Sequence, residues 1–256
     1  MSDQFDTIER IVHTDTGEGP MLLFIPGLGL NTRIFTPMVT LLKQQFRCVC
    51  IEFSGPVPPG EARNCSIESL AAEVNTFLRR RQFNPHCVIG HSLGGFIAMR
   101  MTLAAPDLVP RMVLLASAAL GDSSLVTRFM PNRLTHPNDR LQQNIAMCVS
   151  PNFASGELFS AVVSDQLHHS GSGRCFVPLL RAATRFDIRR DLPRIAGPTL
   201  IICGEADPIA PIAQSELLLQ HIPGARLVCL PKVAHLPQVE APTQTADAVI
   251  DFLQTP

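Results

Sequence analysis

The chain has 256 residues, 46% of them apolar, and 21 Lys and Arg against 22 Asp and Glu give a formal charge of −1. That length and apolar share support one sizeable α/β domain with an insertion, or two small domains, around a packed core. With no block of like charges and no apolar run near the ~20 residues that span a bilayer, neither a nucleic-acid nor a membrane partner is expected.

Taken in chain order, short apolar runs at Met21–Ile25, Arg47–Glu52, His86–Ile89, Met112–Leu115, Pro198–Cys203 and Arg226–Leu230 read as strands. Their near-continuous hydrophobicity suits strands buried on both faces, as in a parallel sheet. Between and after them, Ile34–Gln45, Ser66–Arg81, Ser92–Ala105, Ile212–His221 and Thr243–Leu253 carry helical spacing. The alternation predicts an α/β fold with a mostly parallel sheet flanked by helices. From Ala118 to Arg194 the alternation stops, and helix-like pieces (Arg140–Met147, Gly156–Leu167, Val177–Arg185) are broken by prolines and glycines. A connection this long is not a plain loop. The expected organisation is a core of residues 1–117 and 195–256, with residues 118–194 forming a helical cap, or lid, after the strand Met112–Leu115. The cap lies where ligands bind in open α/β sheets.

Chemistry concentrates at one strand end. Val88-Ile89-Gly90-His91-Ser92-Leu93-Gly94-Gly95 runs from a strand through Gly-x-Ser-x-Gly into a helix, the context of a nucleophile elbow. Gly90 and Gly94 are small because a side chain at either would collide across the tight turn. A serine is a poor nucleophile until a base takes its proton, and the base needs an orienting acid. Two later strands supply both. Leu200–Cys203 runs into a loop carrying Asp207, and Leu227–Leu230 into a loop carrying His235. Asp122 is a less favoured substitute for the acid. His91 is expected to pack beneath the turn.

Ser, Asp, His is the chain order of the α/β-hydrolase fold, and the chain resembles the α/β-hydrolase superfamily over most of its length outside the insertion. Gly204-Glu205-Ala206-Asp207 with Pro211 is similar to the family's acid loop. His235 to Pro242 is similar to its histidine loop, and Phe24-Ile25-Pro26-Gly27-Leu28-Gly29 to the oxyanion loop after the family's third strand. The resemblance implies an oxyanion hole made by the backbone N–H groups of Leu28 and Leu93, and catalysis by Ser92, Asp207 and His235. Two departures stand out. Pro26 replaces a frequent histidine, and the stretch Glu52 to Gly60 is proline-rich where the family has Asp-x-x-Gly-x-Gly-x-Ser.

Haloalkane dehalogenases and epoxide hydrolases of this superfamily use Asp where Ser92 stands, and the latter also use lid tyrosines, whereas this chain has no Tyr and no Trp. A serine leaves hydrolysis of a small carboxylic ester or lactone as the expected reaction. Thioester or hydrolytic C–C cleavage by the same residues is the alternative, and a ligand receptor on the same fold the non-enzymatic one. The passage Ala182 to Leu192 resembles that of enol-lactonases and carboxylesterases. Arg128, Arg133, Arg140, Arg174, Arg181 and Arg185 can pair with a substrate carboxylate or form solvated helix faces. Phe129, Phe153, Phe159 and Phe176 can line an acyl pocket or anchor the cap.

Neither a cofactor nor a metal ion is expected. His168-His169 with Cys175 is the one His/Cys cluster and lacks a second ligand pair. Cys48, Cys50, Cys87, Cys203 and Cys229 sit in apolar runs as small buried hydrophobes, and no disulfide framework is expected at this size. The polar start, Met1 to Asp6, lacks the features of a signal peptide, so the expected location is the cytoplasm. The pattern carries no signal for an oligomeric state.

Overall fold

The computed structural model describes residues 11–53, 65–122, 124, 137–167 and 176–255, with the backbone alone for 137–141. Seven strands form one sheet: β1 (Ile11–Thr16), β2 (Met21–Ile25), β3 (Arg47–Phe53), β4 (Cys87–His91), β5 (Met112–Leu115), β6 (Thr199–Gly204) and β7 (Arg226–Leu230). Their spatial order is β1-β3-β2-β4-β5-β6-β7. All neighbours are parallel except β1, which pairs antiparallel with β3. Every residue of β2, β4, β5 and β6 is buried, as strands covered on both faces must be.

The edges depart from the sequence reading. The sequence pattern does not predict β1: Ile11-Val12-His13-Thr14-Asp15-Thr16 has apolar residues only at its start, because an edge strand needs to bury little. β7 at the other edge exposes Arg226 and Cys229 and buries only Leu230 fully. Cys229 is therefore not the buried residue its apolar neighbours imply. Cys48, Cys50, Cys87 and Cys203 are buried, while Cys65 is disulfide-bonded. That bond departs from the expectation, since local spacing carries no record of which thiols meet in space.

Around the sheet lie α1 (Thr36–Leu42), α2 (Ile67–Arg81) and α3 (Leu93–Ala104), and between β5 and β6 come α4 (Pro137–Cys148), α5 (Pro151–Ala154), α6 (Glu157–Leu167) and α7 (Phe176–Thr184). After β6 follow α8 (Ile212–His221), α9 (Pro237–Glu240) and α10 (Pro242–Gln254). One face of the sheet is covered by α2, α3 and α8 through Val74, Leu78, Ile97, Met101 and Leu218. The other is covered by α1 and α10 through Met38, Leu42, Val249 and Phe252, and Ile145 of α4 and Phe159 and Val163 of α6 extend that core. α2 begins at a reciprocal cap, with Ser69 N–H donating to Ser66 Oγ at 3.0 Å and Ser66 N–H to Ser69 Oγ at 2.9 Å, which satisfies two otherwise orphaned amides. No helix among the described residues is long and apolar enough to cross a membrane.

Candidate active site

β4 ends in backbone that few residues tolerate. Ser92 has φ 52° and ψ −116°, the strained geometry that lifts a side chain clear of a strand-to-helix turn. The turn closes only because its neighbours lack side chains. A Cβ on Gly90 would strike the backbone of Gly94 and Gly95, and one on Gly94 would strike the carbonyls of Ile25 and Pro26. Ser92 N–H donates to the Leu115 carbonyl at 2.9 Å, and Ser117 Oγ–H donates to the Ser92 carbonyl at 3.0 Å. β5 thus braces the turn. Ser117 was not singled out from sequence; its one signal is a position just past the end of β5.

Three strand ends meet here. Ser92 Oγ lies 3.0 Å from His235 Nε2, and His235 Nδ1 lies 2.8 Å from Asp207 Oδ2. A carboxylate only accepts, so Nδ1 carries the proton and Nε2 presents its lone pair to the serine hydroxyl. The side chain of Asp207 is fully buried and that of His235 is 5% exposed. Asp207 is held by its own loop, its Oδ1 accepting from Ile209 N–H at 2.7 Å and Ala210 N–H at 2.9 Å. Asp122 does not take this place: it is exposed, and its oxygens accept from Ser124 N–H at 2.8 Å and Ser124 Oγ–H at 2.7 Å.

His91 lies fully buried beneath the turn. Its Nε2–H donates to the His235 carbonyl at 2.8 Å, and its Nδ1 has no partner among the described residues. Burial, with the neighbouring His235, pushes its pKa down to about 3. His91 therefore stays neutral, a fixed donor to the backbone of the histidine loop.

A cavity of about 430 Å³ opens over Ser92, within the range of small-molecule sites. Leu28 and Leu93 line it beside Ser92. Leu93 is the first residue of α3, where backbone N–H groups have no intrahelical acceptor. Gly29 has φ 72°, and a Cβ there would press on the Phe176 ring. The walls are mostly apolar: Leu30 and Phe96 from the core, Ile145 from α4, Phe176 and Leu180 from α7. Asn144, Asp122 and Gln214 add polar groups, and Gln214 Oε1 accepts from Leu120 N–H at 3.3 Å. Cys148 also lines the cavity, and burial pushes its thiol up to about 12. It is held protonated and is no competing nucleophile.

Of the four phenylalanines singled out, Phe176 lines the cavity, Phe159 and Phe153 pack into the core, and Phe129 lies outside the described residues. Arg181 and Arg185 are exposed and are not part of the wall. Arg128, Arg133 and Arg174, the side chain of Arg140, the His168-His169 and Cys175 cluster, and most of the proline-rich stretch after Phe53 lie outside the described residues.

The model of the Alpha/beta hydrolase family matches residues 22–248. The chain belongs to this family. Among curated relatives it is 28% identical over 249 residues to a pimeloyl-[acyl-carrier protein] methyl ester esterase of Nitrosomonas europaea, covering 91% of this chain and 96% of that protein. It is 23% identical over 257 residues to 3-oxoadipate enol-lactonase 1 of Acinetobacter baylyi, covering 92% and 89%. An enol-lactonase from Burkholderia xenovorans superposes with a TM-score of 0.83 at 23% identity over 95% of this chain and 96% of that one, a likeness of fold. This α/β hydrolase thus has ester- and lactone-cleaving relatives, and its cavity sits at the carboxyl edge of the sheet.

Proposed function

We propose that the protein is a serine hydrolase of small carboxylic esters or lactones, with Ser92 as nucleophile, His235 as general base and Asp207 as its orienting acid. The observation that carries this is the continuous hydrogen-bonded chain from Ser92 Oγ through His235 to Asp207 at 3.0 and 2.8 Å, on the floor of an apolar cavity. In the first step His235 Nε2 accepts the hydroxyl proton as Ser92 Oγ attacks the carbonyl carbon. Asp207 stabilises the imidazolium without taking its proton. The N–H groups of Leu28 and Leu93 receive the charge that develops on the carbonyl oxygen, a contribution of about 3–4 kcal/mol per donor. The alcohol leaves with the proton held by His235, and water, activated by the same imidazole, then cleaves the acyl-enzyme.

In this reading residues 118–194 act as a cap over the core formed by 1–117 and 195–256. The cap helices α4 and α7 supply Ile145, Phe176 and Leu180 as an acyl-binding wall. The apolar lining favours an uncharged acyl group. Hydrolysis of p-nitrophenyl acetate beside a Ser92→Ala control tests the reading. Rapid turnover that disappears in the variant supports it. A single stoichiometric burst, or ligand-induced stabilisation without turnover, would instead favour a receptor.

A further inference from the structure

The backbone of His235 is fastened both from outside its own loop and from within it. Its N–H donates to the Cys148 carbonyl at 2.8 Å, and its carbonyl accepts from His91 Nε2–H at 2.8 Å. The amides on either side converge on one carboxylate: Ala234 N–H and Leu236 N–H donate to Glu240 Oε1 at 3.1 and 3.4 Å. The other oxygen, Oε2, accepts from Ser150 N–H at 2.8 Å. Cys148 is the last residue of α4 and Ser150 the N-cap of α5. The link between α4 and α5 therefore both accepts from and donates to the histidine loop, and Glu240 closes the second half of that clasp. Bonds from three backbone amides to an ionised carboxylate are charge-assisted and stronger than neutral ones.

We propose that Glu240 is a positioning residue that makes the placement of the His235 imidazole depend on the seating of the helices between β5 and β6. The idea rests on the catalytic reading above. If the α4–α5 link moves away, the His235 amide and Glu240 Oε2 lose their partners together, and the imidazole loses its register on Ser92 and Asp207. The base is then aligned only while those helices are seated over the cavity.

The test uses four substitutions in the full chain. Glu240→Ala removes the carboxylate bonds to Ser150, Ala234 and Leu236 and leaves His235 N–H on the Cys148 carbonyl. Glu240→Gln keeps one acceptor for Ala234 and Leu236 but turns an amide donor toward Ser150 N–H. Ser150→Pro deletes that N–H at a residue whose φ is already −64°, close to the value proline imposes. Ser150→Ala keeps it.

For p-nitrophenyl acetate, kcat is expected to fall about 10-fold to 100-fold in Glu240→Ala with KM within about 3-fold, the cost of a misplaced catalytic group. Labelling of Ser92 by a fluorophosphonate should slow in parallel. Glu240→Gln and Ser150→Pro should show smaller, matching losses, and Ser150→Ala should stay near wild type. The low-field proton resonance of His235 Nδ1–H should be sharp in the wild type and broadened in Glu240→Ala.

A merely structural Glu240 would lower thermal stability while leaving kcat and labelling of the folded protein unchanged, and that result overturns the proposal. Equal losses in Ser150→Ala and Ser150→Pro would equally remove Ser150 N–H as the link. Should Glu240→Ala fail to fold, the Ser150 pair decides. An inactive, unlabelled wild type would sink the catalytic reading instead, and the proton resonance in wild type and Glu240→Gln would still test the clasp.

Discussion

The carboxyl edge of the sheet and the helices between β5 and β6 enclose the same cavity by different physical means. At the sheet edge, position is set by backbone. Ser92 is held at positive φ by glycines with no room for a Cβ, and Asp207 by two amides of its own loop. In the helices, position is set by side-chain packing, with Ile145, Phe159 and Val163 inserted into one core and Leu179 into the other. Backbone-defined geometry admits few substitutions, whereas a packed apolar wall accepts others of similar volume. On the proposed function, the chemistry is therefore tied to the edge and the choice of substrate to the helices.

Substitutions on the two sides should separate accordingly. The largest effect is expected from Ser92→Ala, which should lower kcat by about 10⁴-fold or more in a steady-state ester assay. Asp207→Asn should follow with a loss of about 10⁴-fold through the wrong imidazole tautomer, while Asp122→Asn leaves kcat near wild type. Loss in Asp122→Asn comparable to Asp207→Asn would break the assignment of the acid. On the helix side, Phe176→Ala should change kcat/KM for a matched acyl chain by about 10-fold to 100-fold and shift the preferred chain length, as methylene-scale pocket changes do. A uniform loss across a panel of acyl chain lengths would contradict its place in the acyl wall.

The smallest effect concerns His91. Its pKa is held at about 3 in the native protein against about 6.5 when unfolded. Because the native state resists protonation, its contribution is complete above about pH 6.5 and is lost as pH falls from there toward 3, by at most about 1.4 kcal/mol per pH unit. Denaturant unfolding across that window should show a shallower decline in His91→Gln. An unchanged slope would mean that His91 is not the group responsible.

The same contrast explains what the sequence discloses. β2, β4, β5 and β6 are legible because burial on both faces leaves runs such as Met21-Leu22-Leu23-Phe24-Ile25 with no polar interruption. β1 is not legible, because its edge position leaves most of it polar. Ser92 is legible because it follows directly on β4, and Asp207 and His235 because each lies in the loop that a strand runs into. Ser117 is not, and Glu240 only as part of the histidine-loop resemblance: it reaches Ser150 across 90 positions, and no local pattern records such a pairing. The disulfide at Cys65 and the exposure of Cys229 escape for the same reason, being properties of neighbours in space.

The most direct test of the account is the mass of the enzyme trapped during turnover. Hydrolysis of p-nitrophenyl acetate stopped in acid and analysed by peptide mass spectrometry should place one acetyl group on the peptide containing Ser92, and none on Ser92→Ala. An acetyl group found on another side chain, or steady turnover persisting in Ser92→Ala, would contradict it.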